Sequence, residues 1–120
     1  MTRILLPKLR RGTKAYREAV RTARALAHAR LAHFNQAYGF RINRIAIRDT
    51  RSRWGSASRK GNLNFTYRIL YLPPHLADYV IVHELAHLGA FNHSKEYWEL
   101  VARVMPQHKK LRRELRTYAL

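Results

Sequence analysis

The chain contains no cysteine among its 120 residues. This excludes a disulfide framework and any thiolate-bound zinc cluster, and it fits a reducing compartment. Acidic residues are scarce as well: 7 Asp and Glu stand against 24 Lys and Arg, for a formal net charge of +17. No long apolar run is present. The opening MTRILLPKLRRG offers only Ile4 to Leu6 before Pro7, too short for a signal-peptide apolar region, and no segment approaches a membrane span. With 5 glycines, no Gly/Ser-rich linker marks a boundary, and no internal repeat or low-complexity tract appears. A hydrophobic share of 47% agrees with a folded chain. The expectation is one soluble, cytoplasmic domain spanning residues 1–120, with a modest core.

The charge is unevenly spread. Residues 1–60 carry 16 Lys and Arg against 2 acids, whereas residues 61–120 carry 8 against 5. Within 78–99 the balance reverses, with Asp78, Glu84, Glu96 and Glu99 facing only Lys95. A cationic surface attracts nucleic acid, nucleotides or anionic lipid over long range, but the same composition also serves simply as a solubilising face.

Thr13 to Ala37 reads as a long helix capped by Thr13 and ended by Gly39, with Tyr16, Val20, Leu26, Ala27, Leu31 and Phe34 as a broken apolar stripe. Arg41 to Asp49 and Leu63 to Tyr71 read as strands, separated by turn chemistry at Ser58 to Asn62. Pro73-Pro74 starts a helix from about His75 to Leu88, stopping at Gly89. A third helix, capped by Ser94 or Asn92, reaches Met105-Pro106, and a fourth runs from Lys109 to Tyr118. The order implies an α+β domain: an N-terminal helix, a two- to three-stranded antiparallel sheet, then helices.

The stretch VHELAHLGAFNH, Val82 to His93, concentrates the chemistry. His83 and His87 lie one helical turn apart on one face, a spacing at which both imidazoles reach a tetrahedral zinc with Zn–N near ~2.1 Å. Glu84 points to the neighbouring flank, where it meets a water on the metal, as in the general-base reading of H-E-x-x-H. The chain must turn back to supply a third vertex. Gly89 permits that turn, and His93 returns just before the next helix. Chance gives HExxH in roughly 0.02 of chains of this composition, and a histidine at one fixed later place lowers that by about 17-fold. The flanking apolar residues make this a buried helix, in which unpartnered histidines and a glutamate cost several kcal/mol. His28, His33, His75 and His108 lack such geometry and read as solvated or structural. Tyr97 and Trp98 read as core packing.

HELAHLGAFNHSKEYW, preceded by RWGSASRKGNLNFTYRILYLPP, resembles the YgjP-like metallopeptidase-domain family, relatives of the SprT-like and WLM zinc proteins. The resemblance runs from about Arg41 to Met105. It implies a small, gluzincin-like zincin fold, Zn²⁺ held by His83, His87 and His93, and Glu84 as catalytic base. Family members often carry a cysteine in the first block, where this chain has Ala57. The metzincin pattern HExxHxxGxxH is also spaced for His93, but Gly89 comes one place early and position 90 is Ala.

Three functional readings follow. The first is a zinc-dependent metallopeptidase that cleaves a peptide or protein, with Leu63 to Tyr71 holding extended substrate by edge pairing. Tyr67 or an arginine is the candidate for stabilising the developing oxyanion. The second is hydrolysis of a nucleoside triphosphate, since UTP pyrophosphatase activity has been attributed to the family the chain resembles. Arg51, Arg53, Arg59, Lys60 and Arg68 around Trp54 would then meet phosphate and base. The substrate-binding candidates are thus Arg53, Tyr67 and Arg68. The third is a basic, nucleic-acid-associated module with a zinc site, drawing on the Arg-rich helix.

Overall fold

The computed structural model describes residues 2–120. Strand β1 (Ile4–Leu5) is followed by α1 (Lys14–Asn35), β2 (Arg44–Arg48), β3 (Gly55–Ala57) and β4 (Asn62–Thr66). A 3₁₀ helix (Tyr67–Tyr71) leads to α2 (Pro74–Ala86), α3 (Lys95–Val104), α4 (His108–Leu115) and β5 (Tyr118–Ala119). The α+β class agrees with the sequence pattern.

Thr13 caps α1 through its side-chain oxygen, which accepts from the Tyr16 N–H. The buried stripe is narrower and smaller than the periodicity suggests: Ala19, Ala23, Ala27 and Leu31, each one turn from the next. Small side chains at i, i+4 let the α1 backbone lie close to α2 and the 3₁₀ helix. After α1 the chain reverses at Gly39, whose φ of +72° suits a residue without Cβ. Asn35 fixes this turn by donating to and accepting from the backbone of Phe40.

The three-stranded sheet has the order β2-β4-β3. Strands β3 and β4 form the antiparallel hairpin expected from the turn at Ser58 to Asn62, but β2 and β4 run parallel, with Ile45 opposite Leu63 and Ile47 opposite Phe65. The expected all-antiparallel sheet is therefore corrected to a mixed one. The connection from β2 travels through β3 before β4 inserts between them, so β4 points the same way as β2. The second expected strand is also shorter. It ends at Thr66, whose side chain accepts from the Arg68 N–H and starts the 3₁₀ turn. A two-residue parallel pair, Ile4 with Tyr118 and Leu5 with Ala119, joins the two ends of the described chain.

Helix α2 is the centre of the core. Leu76, Ala77, Tyr79, Val80, Ile81, Val82, Leu85 and Ala86 are all buried, so it is apolar on every side and packs against α1, α3, α4 and β3. Its polar residues consequently occupy the few positions that face a cavity.

Candidate metal centre

His83 lies in the last full turn of α2, and His87 follows as its C-cap with φ −62° and ψ −21°. The backbone is still helical there, so the two rings stay on one face. Beyond it, Leu88 and Gly89 bond back to Leu85 and Ala86 in a tightened final turn. Gly89 serves by lacking bulk, and a positive φ plays no part. A Cβ there would stand 2.6 Å from Phe40 Cζ and 2.7 Å from Leu100 Cδ1. This close passage lets the chain double back to His93, which precedes Ser94, the N-cap of α3. The ligand-capable nitrogens of His83, His87 and His93 all lie within 4.8 Å of one another. Ring centroids are 5.2 Å apart for His83–His87, 5.3 Å for His83–His93 and 4.9 Å for His87–His93.

The electrostatics favour neutral imidazoles at His83 and His87. Burial, then the neighbouring His87 and His93, then Arg112, push His83 down to about 4. Burial also lowers His87, opposed by its bond to Ala90. That bond runs between His87 Nδ1 and the Ala90 carbonyl at 3.1 Å. Since a carbonyl only accepts, Nδ1 carries the proton and Nε2 presents its lone pair to the other two rings. With a ring nitrogen of His93 from the returning loop, the three residues fit a borderline-soft divalent cation.

Glu84 is only 7% exposed, and burial pushes its carboxyl up to about 7, against the lowering effect of Arg53. Beside it runs β3. A Cβ on Gly55 would fall 2.9 Å from Glu84 Cγ and 2.7 Å from the Asn64 carbonyl, so the strand backbone touches the carboxylate stem directly. Two cavities meet here. A cleft of ≈ 230 Å³ runs past Ser56, Ala57, His87 and Phe91, and a larger one of ≈ 390 Å³ opens toward α4; both are lined by Arg53, Gly55, His83 and Glu84.

A family model described as "YgjP-like, metallopeptidase domain" matches residues 8–118. The chain belongs to the YgjP-like metallopeptidase-domain family. Among solved structures it is similar to the crystal structure of the metallopeptidase zymogen of Pyrococcus abyssi abylysin, at 27% sequence identity and a TM-score of 0.67. That likeness covers 75% of this chain and 92% of the other. No curated protein matches the chain.

Within this family member, the residues expected to bind substrate divide. Arg53 lines both cavities. Tyr67 and Arg68 do not; both are fully buried in the 3₁₀ helix. The Tyr67 hydroxyl accepts from the Leu9 N–H at 2.8 Å, and its ring meets Tyr16 edge-on. Arg68 lies 3.0 Å from Asp49, donates to the Thr50 carbonyl and covers the Tyr67 ring. These contacts assign both residues to the packing of α1 against the sheet, and they correct the expectation of a substrate role. Edge pairing by Leu63 to Tyr71 is likewise corrected: β4 is the central strand, already paired on both sides, and the free edge beside Glu84 belongs to β3.

Tyr97 is fully buried, as core packing requires, yet it also forms the wall of the centre. Its hydroxyl donates to the His83 carbonyl at 2.8 Å, and its ring stacks on His87 at 4.3 Å. Trp98 stacks on His93 and, on its other side, on His108. Nothing in local spacing marks these roles, since they arise only when α3 docks on α2. The other histidines stay outside the cluster: His75 pairs with Glu114, and His28 and His33 are exposed on α1.

Proposed function

We propose that the chain is a zinc metallopeptidase acting as one domain over residues 1–120, with Zn²⁺ held by His83, His87 and His93 and Glu84 as the catalytic base. The observation that carries this reading is the convergence of three imidazoles beside a buried carboxylate, with the backbone of an edge strand passing alongside. When bound, a zinc ion supplies Lewis acidity to the attacking water and the scissile carbonyl. Glu84 accepts one proton from that water and delivers it to the departing amine nitrogen as the C–N bond breaks, a role suited by a carboxyl near neutrality. His87 is kept in the ligating tautomer by Ala90. The edge of β3 offers N–H and C=O groups to an extended peptide, which holds the scissile bond next to Glu84. No helix among the described residues is long and apolar enough to cross a membrane; the proposed setting is the cytoplasm, in keeping with the absence of cysteine.

A second reading, nucleoside triphosphate (UTP) hydrolysis at the same centre, draws on Arg53, the one residue of its basic set that lines the cavities beside Glu84. The exposed Arg17, Arg21 and Arg24 of α1 supply the field that a nucleic-acid contact would use. Glu84→Gln separates chemistry from folding. The variant should bind zinc normally and lose peptide hydrolysis by about 10²–10⁴-fold. Full peptidase activity in that variant would refute the role given to Glu84.

A further inference from the structure

The ≈ 390 Å³ cavity beside Glu84 has an unusual lining. Four arginines stand around it, Arg3, Arg53, Arg112 and Arg116, and its sole acidic residue is Glu84 itself. The four come from three places in the chain. Arg53 precedes β3, Arg112 lies on α4, Arg116 is the C-cap of α4, and Arg3 is brought to them by the β1–β5 pair. All four are exposed, and among the described residues none forms an ion pair or a side-chain hydrogen bond. Other arginines of the chain do find such partners: Arg30 has Asp78, and Arg68 has Asp49. Arg112 is held in place by lying over the Trp98 ring at 5.6 Å.

We propose that this cavity is the specificity pocket of the peptidase, and that it selects an acidic side chain of the substrate next to the scissile bond. The inference rests on the peptidase reading above and names its substrate class. Four guanidinium groups without an ion-pair partner around one concavity repel each other, and an anion among them relieves that repulsion and offers acceptors to their N–H groups. The floor decides between kinds of anion. Trp54, Val80 and Leu115 make it largely apolar, which suits a carboxylate carried on a methylene stem. Access is provided by β3. Gly55 borders both the cleft along the strand and this cavity, so a peptide paired to the β3 edge directs alternate side chains toward it.

The test uses the zinc-loaded 120-residue chain and pairs of fluorogenic peptides identical except for Glu or Gln at one position, scanned along both sides of the scissile bond. At one position the Glu peptide should be cleaved with roughly tenfold higher kcat/KM than its Gln twin, because charge-assisted bonds replace neutral ones. That ratio should shrink as salt is raised. In the double variant Arg112→Ala/Arg116→Ala it should fall close to one, whatever the absolute rates. Binding is read separately by fluorescence anisotropy of the same labelled peptides on zinc-loaded Glu84→Gln, with and without the two arginine changes. Cleavage of both peptides with equal efficiency, or a Glu preference that survives the arginine changes, would overturn the pocket assignment and leave the peptidase reading standing. A Glu preference in binding, lost with the arginines, but without cleavage of any peptide, would support the pocket and refute the peptidase reading. UTP hydrolysis with neither peptide binding nor cleavage would overturn both.

Discussion

The Tyr97 hydroxyl donates to the main-chain carbonyl of His83 while its ring lies stacked on His87. One residue of α3 thus fixes both His83 and the C-cap residue His87, filling a carbonyl of the last helical turn, where intrahelical partners run out. Tyr97→Phe keeps the stacked ring and removes the bond. It should cost about 1 kcal/mol of stability and weaken zinc binding by roughly tenfold, as expected for a group orienting a ligand. Chelator competition on the purified variant measures this. Wild-type zinc affinity would mean that packing alone positions His83.

Gly55 tests the contact between strand and base. Gly55→Ala places a methyl against Glu84 Cγ and the Asn64 carbonyl at distances that require movement. The backbone carbonyl cannot yield cheaply, so the strand must shift. A loss of about 1–3 kcal/mol is expected in urea unfolding, together with a fall in peptide hydrolysis larger than any fall in bound zinc. Unchanged turnover would show that Glu84 does not depend on the position of β3.

Acid stability of the metal-free protein follows from two opposed shifts. His83 sits at about 4 in the folded chain against an ordinary 6.5, so unfolding takes up a proton between those values and stability falls as pH drops from 6.5 toward 4. Glu84 sits at about 7 against an ordinary 4.5, so its contribution is complete below 4.5 and is lost as pH rises through 7. Between 4.5 and 6.5 the two slopes oppose each other, and stability should change little there on their account. Glu84→Gln removes one of them. The metal-free variant should lose about 3 kcal/mol between pH 7 and pH 4, with His87 adding in the same direction. A metal-free variant as acid-resistant as the parent in denaturant titrations would contradict these assignments.

Arg68 separates framework from site. Replacing a fully buried guanidinium that faces Asp49 leaves the carboxylate unmatched, although Arg11 still lies 3.5 Å from it. Arg68→Met should cost about 3–5 kcal/mol, seen as a lower Tm. The folded fraction should keep its zinc and its kcat/KM per molecule. A selective rise in KM without a stability change would restore the substrate role that the sequence pattern suggested.

These cases show where local sequence sufficed. Thr13 and Ser94 signal their helices by capping chemistry that needs only the next few residues, and Gly39 signals an end in the same way. His83, Glu84 and His87 were legible because helical periodicity alone places them. The fate of Arg68 depends on Asp49 at the end of β2, and that of Tyr97 on the docking of α3. The parallel pairing of β2 with β4 depends on which side of the hairpin receives β2. None of these is encoded within a short window, so an arginine in a strand-like run read as a substrate contact and a buried tyrosine read as mere packing. Gly55 carried a real signal, a glycine in a strand, whose meaning required knowing that Glu84 lies beneath it.

The most direct test of the metal centre is elemental mass spectrometry of the purified protein beside His87→Ala, each after zinc loading and extensive dialysis. One equivalent of zinc in the parent, and well below one in the variant, is the expected result. Equal metal content in the two proteins, or none in either with no thermal stabilisation on adding zinc, would contradict the account of His83, His87 and His93 as a metal site.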